Sequence, residues 1–398
     1  MSGRTFHKPI WDRGDDVDAQ MMAFTAGDDW MHDQRLVEHD IEGSLAHVDG
    51  LVRVGLIDQA ARDAIHNGLQ GLLESFRAGA WQLEPEDEDV HSAVERRLID
   101  AIGEPAKRMH TARSRNEQIA LDVRLWLRSS IASTISSLDA VREACENLRT
   151  RHGGLPLPGY THLRRAMPSS IGDWIGAHAA AFLDDLDDLE RAALRLRSCP
   201  MGSGSGYGVP VELDREGVAH ALGFDTAEEP VTYTQHGRGR PELAYVTALE
   251  QIALDLGKLA ADLWLFTTEE FGFARLPVAW TTGSSLMPQK RNPDVLELVR
   301  AHCRQVITDR AALVDIVRDL PAGYHRDFQL IKPPLFRAHD RIATMLPMCA
   351  RMIDALELDE AALRAAGDDE QLRATERVLD KAKEGVPFRD AYRSEAGK

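Results

Sequence analysis

The stretch RNEQIALDVRLWLRSSIASTISSLDAVREACENLRT (115–150) carries apolar side chains in steps of three and four residues. This spacing places them along one face of an α-helix. The stretch is far longer than an average helix of about 11–12 residues, so its apolar face needs partner helices. The positions that form this face are Ile119, Val123, Trp126, Leu127, Ile131, Ile135, Leu138 and Val141.

Long helical patterns recur elsewhere, while alternating strand patterns are scarce; the further stretches lie at about 169–197, 242–271 and 294–319. Long helices with apolar faces bury those faces against each other. The sequence therefore predicts an all-α fold with a long central helical bundle. We expect this bundle over residues 109–345, a smaller N-terminal helical domain over 1–108, and a short C-terminal helical domain over 346–398.

Composition limits the classes of partner. The formal net charge is −17 and no basic stripe occurs, so we expect no nucleic-acid binding. The first residues contain no apolar signal core, and no run of about 18 apolar residues predicts a membrane span. Four scattered cysteines form no CxxC pair, which favours a reducing compartment without disulfides or a zinc site. These features predict a cytoplasmic protein.

Two motifs suggest other chemistry but fit it poorly. GSGSGYG (202–208) looks like a phosphate-binding loop, yet it lacks the GxGxxG spacing and the P-loop lysine. We interpret it as a turn that lets backbones approach closely. EDEDVH (86–91) mixes acids with a histidine and could suggest a metal ion. A solvated face or a helix start is the favoured interpretation, because charge runs are usually solvated.

The loop TTGSSLMPQKRNPD (281–294) contains more polar and charged side chains than a connecting loop requires. Asn292 and Pro293, followed by an acid, predict a helix start with an amide at the N-cap and proline at the first helical position. A helix N-terminus favours an anion through its free N–H groups, and Lys290 adds a positive charge. On these residues alone, an anion-binding catalytic loop and a well-capped polar connection remain equally open.

Longer motifs carry a family resemblance. GSSLMPQKRNP resembles the signature loop of the fumarase/aspartase superfamily, GSSxMPxKxNP. HTARSRNEQ and PGYTHLRRAMP resemble segments of the argininosuccinate lyase family within that superfamily. EDEDVHSAVERRL, GSGSGYGVPVELDRE, LPAGYHRDFQ and GVPFRDAY also resemble that family, in the same order. The resemblance therefore covers nearly the whole chain.

The resemblance implies a helical homotetramer whose central helices join in one bundle. Each active site is then assembled from loops of three subunits, which fits the wide separation of the polar segments in this sequence. The implied reaction eliminates arginine from argininosuccinate and leaves fumarate, with no metal and no cofactor. The expected partners are a small-molecule substrate and other copies of the chain.

The catalytic residues follow from this resemblance and from the chemistry. Removing a proton beside a carboxylate builds an aci-carboxylate, whose charge is best met by preorganised donors such as Lys290 and Asn292. The resemblance makes Ser284 the base, with its alkoxide supported by the positive loop. It also pairs His162 with Glu297 for relaying or donating a proton. The predicted catalytic set is Ser284, His162, Glu297, Lys290, Asn292 and Thr161.

A second set of residues is predicted to bind the substrate. An arginine at a helix start suits a carboxylate through its two-pronged guanidinium group, although a capped helix start with an exposed arginine is the plainer interpretation. The resemblance assigns Tyr324, Gln329 and Lys332 to the arginine part of the substrate. The predicted substrate-binding set is Ser114, Arg115, Asn116, His91, Tyr324, Gln329 and Lys332.

The chain also departs from the family pattern. Gly27 stands where the family's FNxS segment has a substrate-contacting serine, and QHGRGRPE (235–242) replaces its SDRD segment. None of these changes removes a proposed catalytic group, but together they leave room for an altered substrate. The other replaced positions are Ala112, Glu117, Arg164 and Met167.

Two alternatives therefore stay open beside an argininosuccinate-cleaving enzyme. One is a related lyase that splits another N-substituted aspartate into fumarate and an amine. The other is a non-catalytic structural protein on the same scaffold, as occurs among lens crystallins. The presence of the catalytic set argues against the structural protein.

Overall fold

A computed structural model of the chain describes residues 6–7 and 17–396, and most of these residues are helical. The α-helices are α1 (Ala19–Ala26), α2 (Asp29–Asp33), α3 (Val37–Arg53), α4 (Gln59–Arg77), α5 (Val90–Ile102), α6 (Arg115–His152), α7 (Ile171–Ala193), α8 (Arg215–Ala221), α9 (Tyr233–His236), α10 (Arg240–Phe266), α11 (Asp294–Val317), α12 (Lys332–Asp354), α13 (Glu360–Gly367), α14 (Ala374–Lys383) and α15 (Phe388–Ala396). Short 3₁₀-helices occupy Gln34–Leu36, Glu104–Arg108, Leu194–Leu196, Val278–Trp280, Arg326–Ile331 and Glu370–Arg373.

The long helices confirm the all-α class. Helices α6, α7, α10 and α11 lie where the spacing of apolar residues predicted them. Helix α6 begins at Arg115 because Ser114 and Glu117 form a capping box. The hydroxyl oxygen of Ser114 accepts from the backbone N–H of Asn116 at 3.3 Å, and Glu117 Oε1 accepts from the backbone N–H of Ser114 at 3.0 Å. Helix α12 was not among the predicted stretches, and Pro347 inside it weakens the helical signal.

Strands are few and short in the described ranges. The longest are β1 (Pro156–Thr161) and β2 (Arg164–Ser170), which form an antiparallel hairpin. Its two turn residues, His162 and Leu163, have φ values of 54° and 56°, as two-residue hairpin turns with positive φ require. The other strands have two residues each and pair as β3 (Ser198–Cys199) with β4 (Thr226–Ala227), β5 (Ala274–Arg275) with β8 (Glu357–Leu358), and β6 (Thr282–Gly283) with β7 (Arg291–Asn292).

The chain divides into two compact units, each built from three separate segments. The first unit comprises Met1–Ser133, Leu189–Ala248 and Thr308–His339. The second unit comprises Thr134–Asp188, Leu249–Ile307 and Asp340–Lys398. The predicted division into residues 1–108, 109–345 and 346–398 stays a prediction.

Aromatic packing fixes three helices in the first unit. Trp126 on α6 meets Phe336 on α12 edge to face, with ring centroids 4.7 Å apart. Its ring also lies 5.1 Å from His339, whose Nδ1 is 2.8 Å from the hydroxyl of Tyr245 on α10. A second buried cluster contains Ala46, Leu121, Leu125, Cys199, Met201, Val218, Ala219, Leu222 and Phe224. Edge-to-face rings and dense apolar packing favour one fixed arrangement of these helices.

The second unit has its own packed contacts. The indole N–H of Trp174 donates to Asp262 Oδ2 at 2.9 Å, which joins α7 to α10. The hairpin packs closely against α13, because a Cβ atom on Gly367 would lie only 2.6 Å from the Cβ of Pro156. This close approach requires glycine at that position and helps hold β1 in place.

The cysteine thiols lie in the interior of the fold. All four cysteines are buried free thiols, and burial raises the pKa of each to about 12. Such thiols are poor nucleophiles at neutral pH, because the thiolate is the reactive form. Across the described ranges, no helix is long and apolar enough to cross a membrane.

Candidate active site

The first unit contains a polar cavity of about 170 Å³. It is lined by charged groups of both signs and by a few aromatic or apolar side chains. The lining residues are Asp29, Asp33, Asp89, His91, Arg115, Asn116, Ile119, Arg238, Tyr324, Arg326, Phe328, Gln329 and Lys332.

Six of the seven predicted substrate-binding residues line this cavity, although they come from three distant parts of the sequence. They are His91, Arg115, Asn116, Tyr324, Gln329 and Lys332. The seventh, Ser114, is not among the cavity-lining residues in the described chain, and its side chain caps α6. Sequence reasoning therefore grouped residues that the fold brings together, while their roles as ligand contacts stay predictions.

Lys332 sits at the start of α12 with two carboxylates around its ammonium group. Its Nζ donates to Asp33 Oδ1 at 2.6 Å and lies 3.0 Å from Asp29 Oδ1. Burial alone would lower the pKa of Lys332, but the two aspartates raise it. Burial, with a smaller effect from Asp33, raises the pKa of Asp29 to about 7, although Lys332 opposes the rise. The positive charge of Lys332 is thus already compensated inside the protein.

His91 lies against two buried carboxylates. Its Nδ1 is 2.8 Å from Asp40 Oδ1 and 3.7 Å from Asp122 Oδ2. Burial alone would lower the pKa of His91, but the charge and hydrogen bond of Asp40 raise it to about 9. Ligand atoms of these three residues lie within 4.8 Å of one another, close enough for a metal ion. The direct contact between His91 and Asp40 instead fits an imidazolium held by a carboxylate.

Arg115 is also paired within the protein. Its Nη1 lies 2.6 Å from Asp89 Oδ2 and 3.1 Å from Glu88 Oε2. Asp89 caps α5 by accepting from the backbone N–H of Ser92 at 2.8 Å. The acidic segment 86–91 therefore contains a helix start, one of the two favoured interpretations, and it also positions Arg115. A solvated face is wrong, because Asp87 and Glu88 are buried.

Gln329 is held by its neighbours rather than pointing freely into the cavity. Its Nε2 donates to the carbonyl oxygens of Thr25 and Ala26, at 3.1 and 3.2 Å, and its Oε1 accepts from Arg326 Nε at 2.7 Å. Gly27 ends α1 with a φ of 55°, a conformation that favours glycine. The positive φ therefore explains why glycine occupies the position where the family has a serine.

The glycine-rich segment 202–208 supports the start of α6. Its four glycines all have positive φ values, which confirms the turn interpretation. The backbone N–H of Gly204 donates to Glu117 Oε2 at 3.0 Å, and burial raises the pKa of Glu117 to about 7. Gln235, against which Gly206 packs, donates to the carbonyl oxygen of Asn116 at 3.1 Å. These contacts hold the segment of α6 that carries Arg115.

No sequence motif indicated Arg238, Asp29 or Asp33 as residues of the site. Arg238 is only 7% exposed, and its guanidinium lies 5.1 Å from the ring centroid of Phe328. Arg238 lies in the segment QHGRGRPE, which differs from the family's SDRD segment. Asp33 is separated in sequence from Lys332 by 299 positions, and Asp29 by slightly more, so no local pattern indicated their pairing.

The predicted catalytic loop lies in the second unit. Strands β6 and β7 pair Thr282 with Asn292 and close the loop between them. The Ser284 hydroxyl oxygen accepts from the backbone N–H of Met287 at 3.0 Å and of Leu286 at 3.3 Å. Helix α11 starts at Asp294, one residue after the predicted start at Pro293, because Asn292 is tied into the strand pair. Lys290 is exposed on this loop.

The other predicted catalytic residues also lie in the second unit and are exposed on the single chain. Thr161 ends β1, His162 occupies the hairpin turn, and Glu297 lies in the first turn of α11. Within the described residues, no hydrogen bond or ion pair joins His162 to Glu297. The predicted pairing of these two side chains stays a prediction.

Comparison with a solved structure identifies the fold. The class II fumarase from Schistosoma mansoni matches with a TM-score of 0.79 at 16% identity, covering 94% of this chain and 92% of that chain. At such low identity the similarity concerns the fold alone. The protein thus has the all-α fold of the fumarase/aspartase superfamily.

Sequence comparison is more specific. Residues 12–308 match the protein family described as Lyase. An argininosuccinate lyase from Sorangium cellulosum is 41% identical over 97% of this chain and 90% of its own length, and one from Thermotoga neapolitana is 39% identical over 98% of both. The chain therefore belongs to the argininosuccinate lyase family, whose members cleave C–N bonds.

Proposed function

We propose that this protein eliminates L-arginine from argininosuccinate and releases fumarate. The observation that carries the proposal is the identity of about 40% to two argininosuccinate lyases over at least nine-tenths of every chain compared. The cavity supports it, because it gathers six of the predicted substrate-binding residues, including the three that the resemblance assigned to the arginine part of the substrate.

Ser284 takes the proton from the carbon beside the substrate carboxylate in this proposal. A serine is a weak base unless its alkoxide is stabilised. Two backbone N–H groups already point at its oxygen, from Met287 and Leu286, and such preorganised donors stabilise a forming oxyanion. Lys290 and Asn292 supply further donors for the aci-carboxylate.

The hairpin supplies the remaining proposed catalytic groups. His162 and Thr161 lie at its exposed tip, where a substrate or another subunit can reach them. In the proposal His162 donates or relays a proton to the leaving nitrogen, supported by Glu297. Placed acids and bases of this kind accelerate reactions by about 10²–10⁴-fold.

The oligomeric state and cellular role that we propose for this protein are those that the family resemblance implies. We infer a homotetramer in the cytoplasm that serves arginine biosynthesis, with each active site built from several subunits. The exposure of the Ser284 loop and of the His162 hairpin on a single chain supports shared sites. Light scattering should give four times the chain mass of 44.2 kDa, and an active monomer would contradict the shared-site model.

Identification of the amine product tests the activity. The purified protein is incubated with argininosuccinate, and both products are quantified by mass spectrometry. We expect L-arginine and fumarate in equal amounts. Fumarate and a different amine, released only from another N-substituted aspartate, would replace this proposal with a related lyase. No fumarate from either substrate would favour the structural protein.

A further inference from the structure

The cationic side chains that line the cavity are not equally available to a ligand. Lys332 is enclosed by Asp29 and Asp33. Arg115 is bound by Asp89 and Glu88. These two positive charges are already compensated within the protein, so a ligand carboxylate would have to compete for them.

Arg326 is occupied as well. Its Nε donates to Gln329 at 2.7 Å, and its Nη2 donates to the carbonyl oxygen of Thr25 at 2.9 Å and to Glu88 at 3.3 Å. Its side chain therefore links α1, the segment that precedes α5 and the 3₁₀-helix Arg326–Ile331, in addition to bordering the cavity.

Arg238 differs from these three cations. Its Nε and Nη1 are buried and have no hydrogen-bond partner among the described residues. The nearest carboxylate is Glu242, whose Oε1 lies 3.9 Å from Nε, beyond hydrogen-bond range. Glu242 Oε2 is itself buried without a hydrogen-bond partner. Nη2 of Arg238 is not among these buried atoms and makes no hydrogen bond with the described residues, so it is the guanidinium nitrogen that a ligand acceptor can reach from the cavity.

The backbone and an aromatic ring hold Arg238 in place. It lies in the turn between α9 and α10, where Gly239 has a φ of 82° and a Cβ there would lie 2.5 Å from Val317. The guanidinium group lies over the ring of Phe328, which is also a lining residue. A fixed guanidinium plane favours two parallel hydrogen bonds to a carboxylate.

We propose that Arg238 binds the carboxylate of the leaving amino acid, and so selects L-arginine over amines that lack this carboxylate. It shares the cavity with Tyr324, Gln329 and Lys332, which the resemblance assigned to the arginine part of the substrate. The assignment to the leaving amino acid rests on the proposed function. Arg238 comes from the segment QHGRGRPE, where the sequence departs from its family.

The test compares two ligands that differ by one carboxylate. Isothermal titration measures Kd for L-arginine and for agmatine, its decarboxylated analogue, on the full-length wild type and on Arg238→Met. We expect the wild type to prefer L-arginine by about 10- to 100-fold, as charge-assisted hydrogen bonds predict, and the variant to lose this preference. An unchanged preference in Arg238→Met overturns the proposal, as does a wild type that binds both equally.

Two further variants make the result specific. Arg240→Met removes an exposed arginine two residues away and should keep the wild-type preference. Arg238→Lys keeps the charge but loses the planar fork, so its preference should fall between those of the wild type and Arg238→Met. If Arg238→Met does not fold by circular dichroism, Arg238→Lys decides, and a full wild-type preference there overturns the proposal.

A fumarate titration separates this inference from the proposed function. If Arg238→Met loses fumarate affinity while keeping its preference for L-arginine, Arg238 contacts the succinyl part and this assignment is wrong. The wild type would then still form arginine from argininosuccinate. If the wild type forms no arginine but Arg238→Met still abolishes a preference for L-arginine, the proposed function fails and the carboxylate site stands.

Discussion

Nδ1 of His91 lies 2.8 Å from Oδ1 of Asp40, and both side chains are almost completely buried. The contact joins α5 to α3 beside the cavity. It fixes the imidazole plane and leaves Nε2 as the ring nitrogen available to a ligand. Because Asp40 stabilises the charged ring, the pKa of His91 rises to about 9 despite its burial.

Asp40→Asn should lower the pKa of His91 markedly, because burial then acts with less opposition. The folded pKa of about 9 exceeds the ordinary 6.5, so this contribution to stability is complete below pH 6.5 and is lost as pH rises through 9. This contribution of His91 protonation to the free energy of unfolding amounts to about 3 kcal/mol. Urea unfolding at pH 6 and pH 10 should show a smaller pH-dependent loss in the variant, and NMR titration should report the pKa directly. Asp139→Asn, which removes a partly exposed partner of Arg142, is the control.

Asp29→Asn should flatten the pH dependence of stability around neutrality. Burial raises the pKa of Asp29 to about 7, so its contribution is complete below its ordinary 3.8 and is lost as pH rises through 7. Thermal melts between pH 5 and pH 8 should therefore show a smaller loss of Tm in the variant than in the wild type. Asp28→Asn changes the exposed neighbour and should behave like the wild type. Identical melting profiles for Asp29→Asn and the wild type would argue against the raised pKa.

Ser284→Ala should abolish most fumarate release while leaving ligand binding intact. Loss of a positioned base costs about 10²–10⁴-fold in rate. The comparison uses steady-state fumarate formation together with the Kd for L-arginine. Ser285→Ala removes the neighbouring exposed hydroxyl and should retain far more activity. Equal activity in the two variants would remove Ser284 from the role of base.

Gly206→Ala should destabilise the protein more than Gly208→Ala. Both glycines have positive φ values, 113° and 79°, so each substitution introduces backbone strain. A Cβ at Gly206 would also lie 2.6 Å from Cγ of Gln235, whereas nothing lies within 4 Å of one at Gly208. Overpacking of this kind typically costs a further 1–3 kcal/mol, roughly the expected difference in the free energy of unfolding from urea titration. Equal losses would show that Gln235 moves aside easily.

The sequence alone determined the features that depend on neighbouring residues. Steps of three and four residues predicted α6, α7, α10 and α11, because helix periodicity is local. The segment from Ser114 to Asn116 was expected to open a helix, and α6 begins at Arg115. The family resemblance also indicated Tyr324, Gln329 and Lys332, which line the cavity.

Only the tertiary structure decided which charges are available in the cavity. Lys332 meets Asp33 across 299 positions of the chain, and His91 meets Asp40 across 51. Nε and Nη1 of Arg238 are buried without a hydrogen-bond partner among the described residues, although Glu242 lies 3.9 Å away. Neither burial nor long-range pairing is visible in a linear pattern. Burial and long-range pairing set the pKa values of the cavity residues and decide which hydrogen-bond donors stay free. The reason is that pKa values and hydrogen bonds depend on desolvation and on distances between side chains.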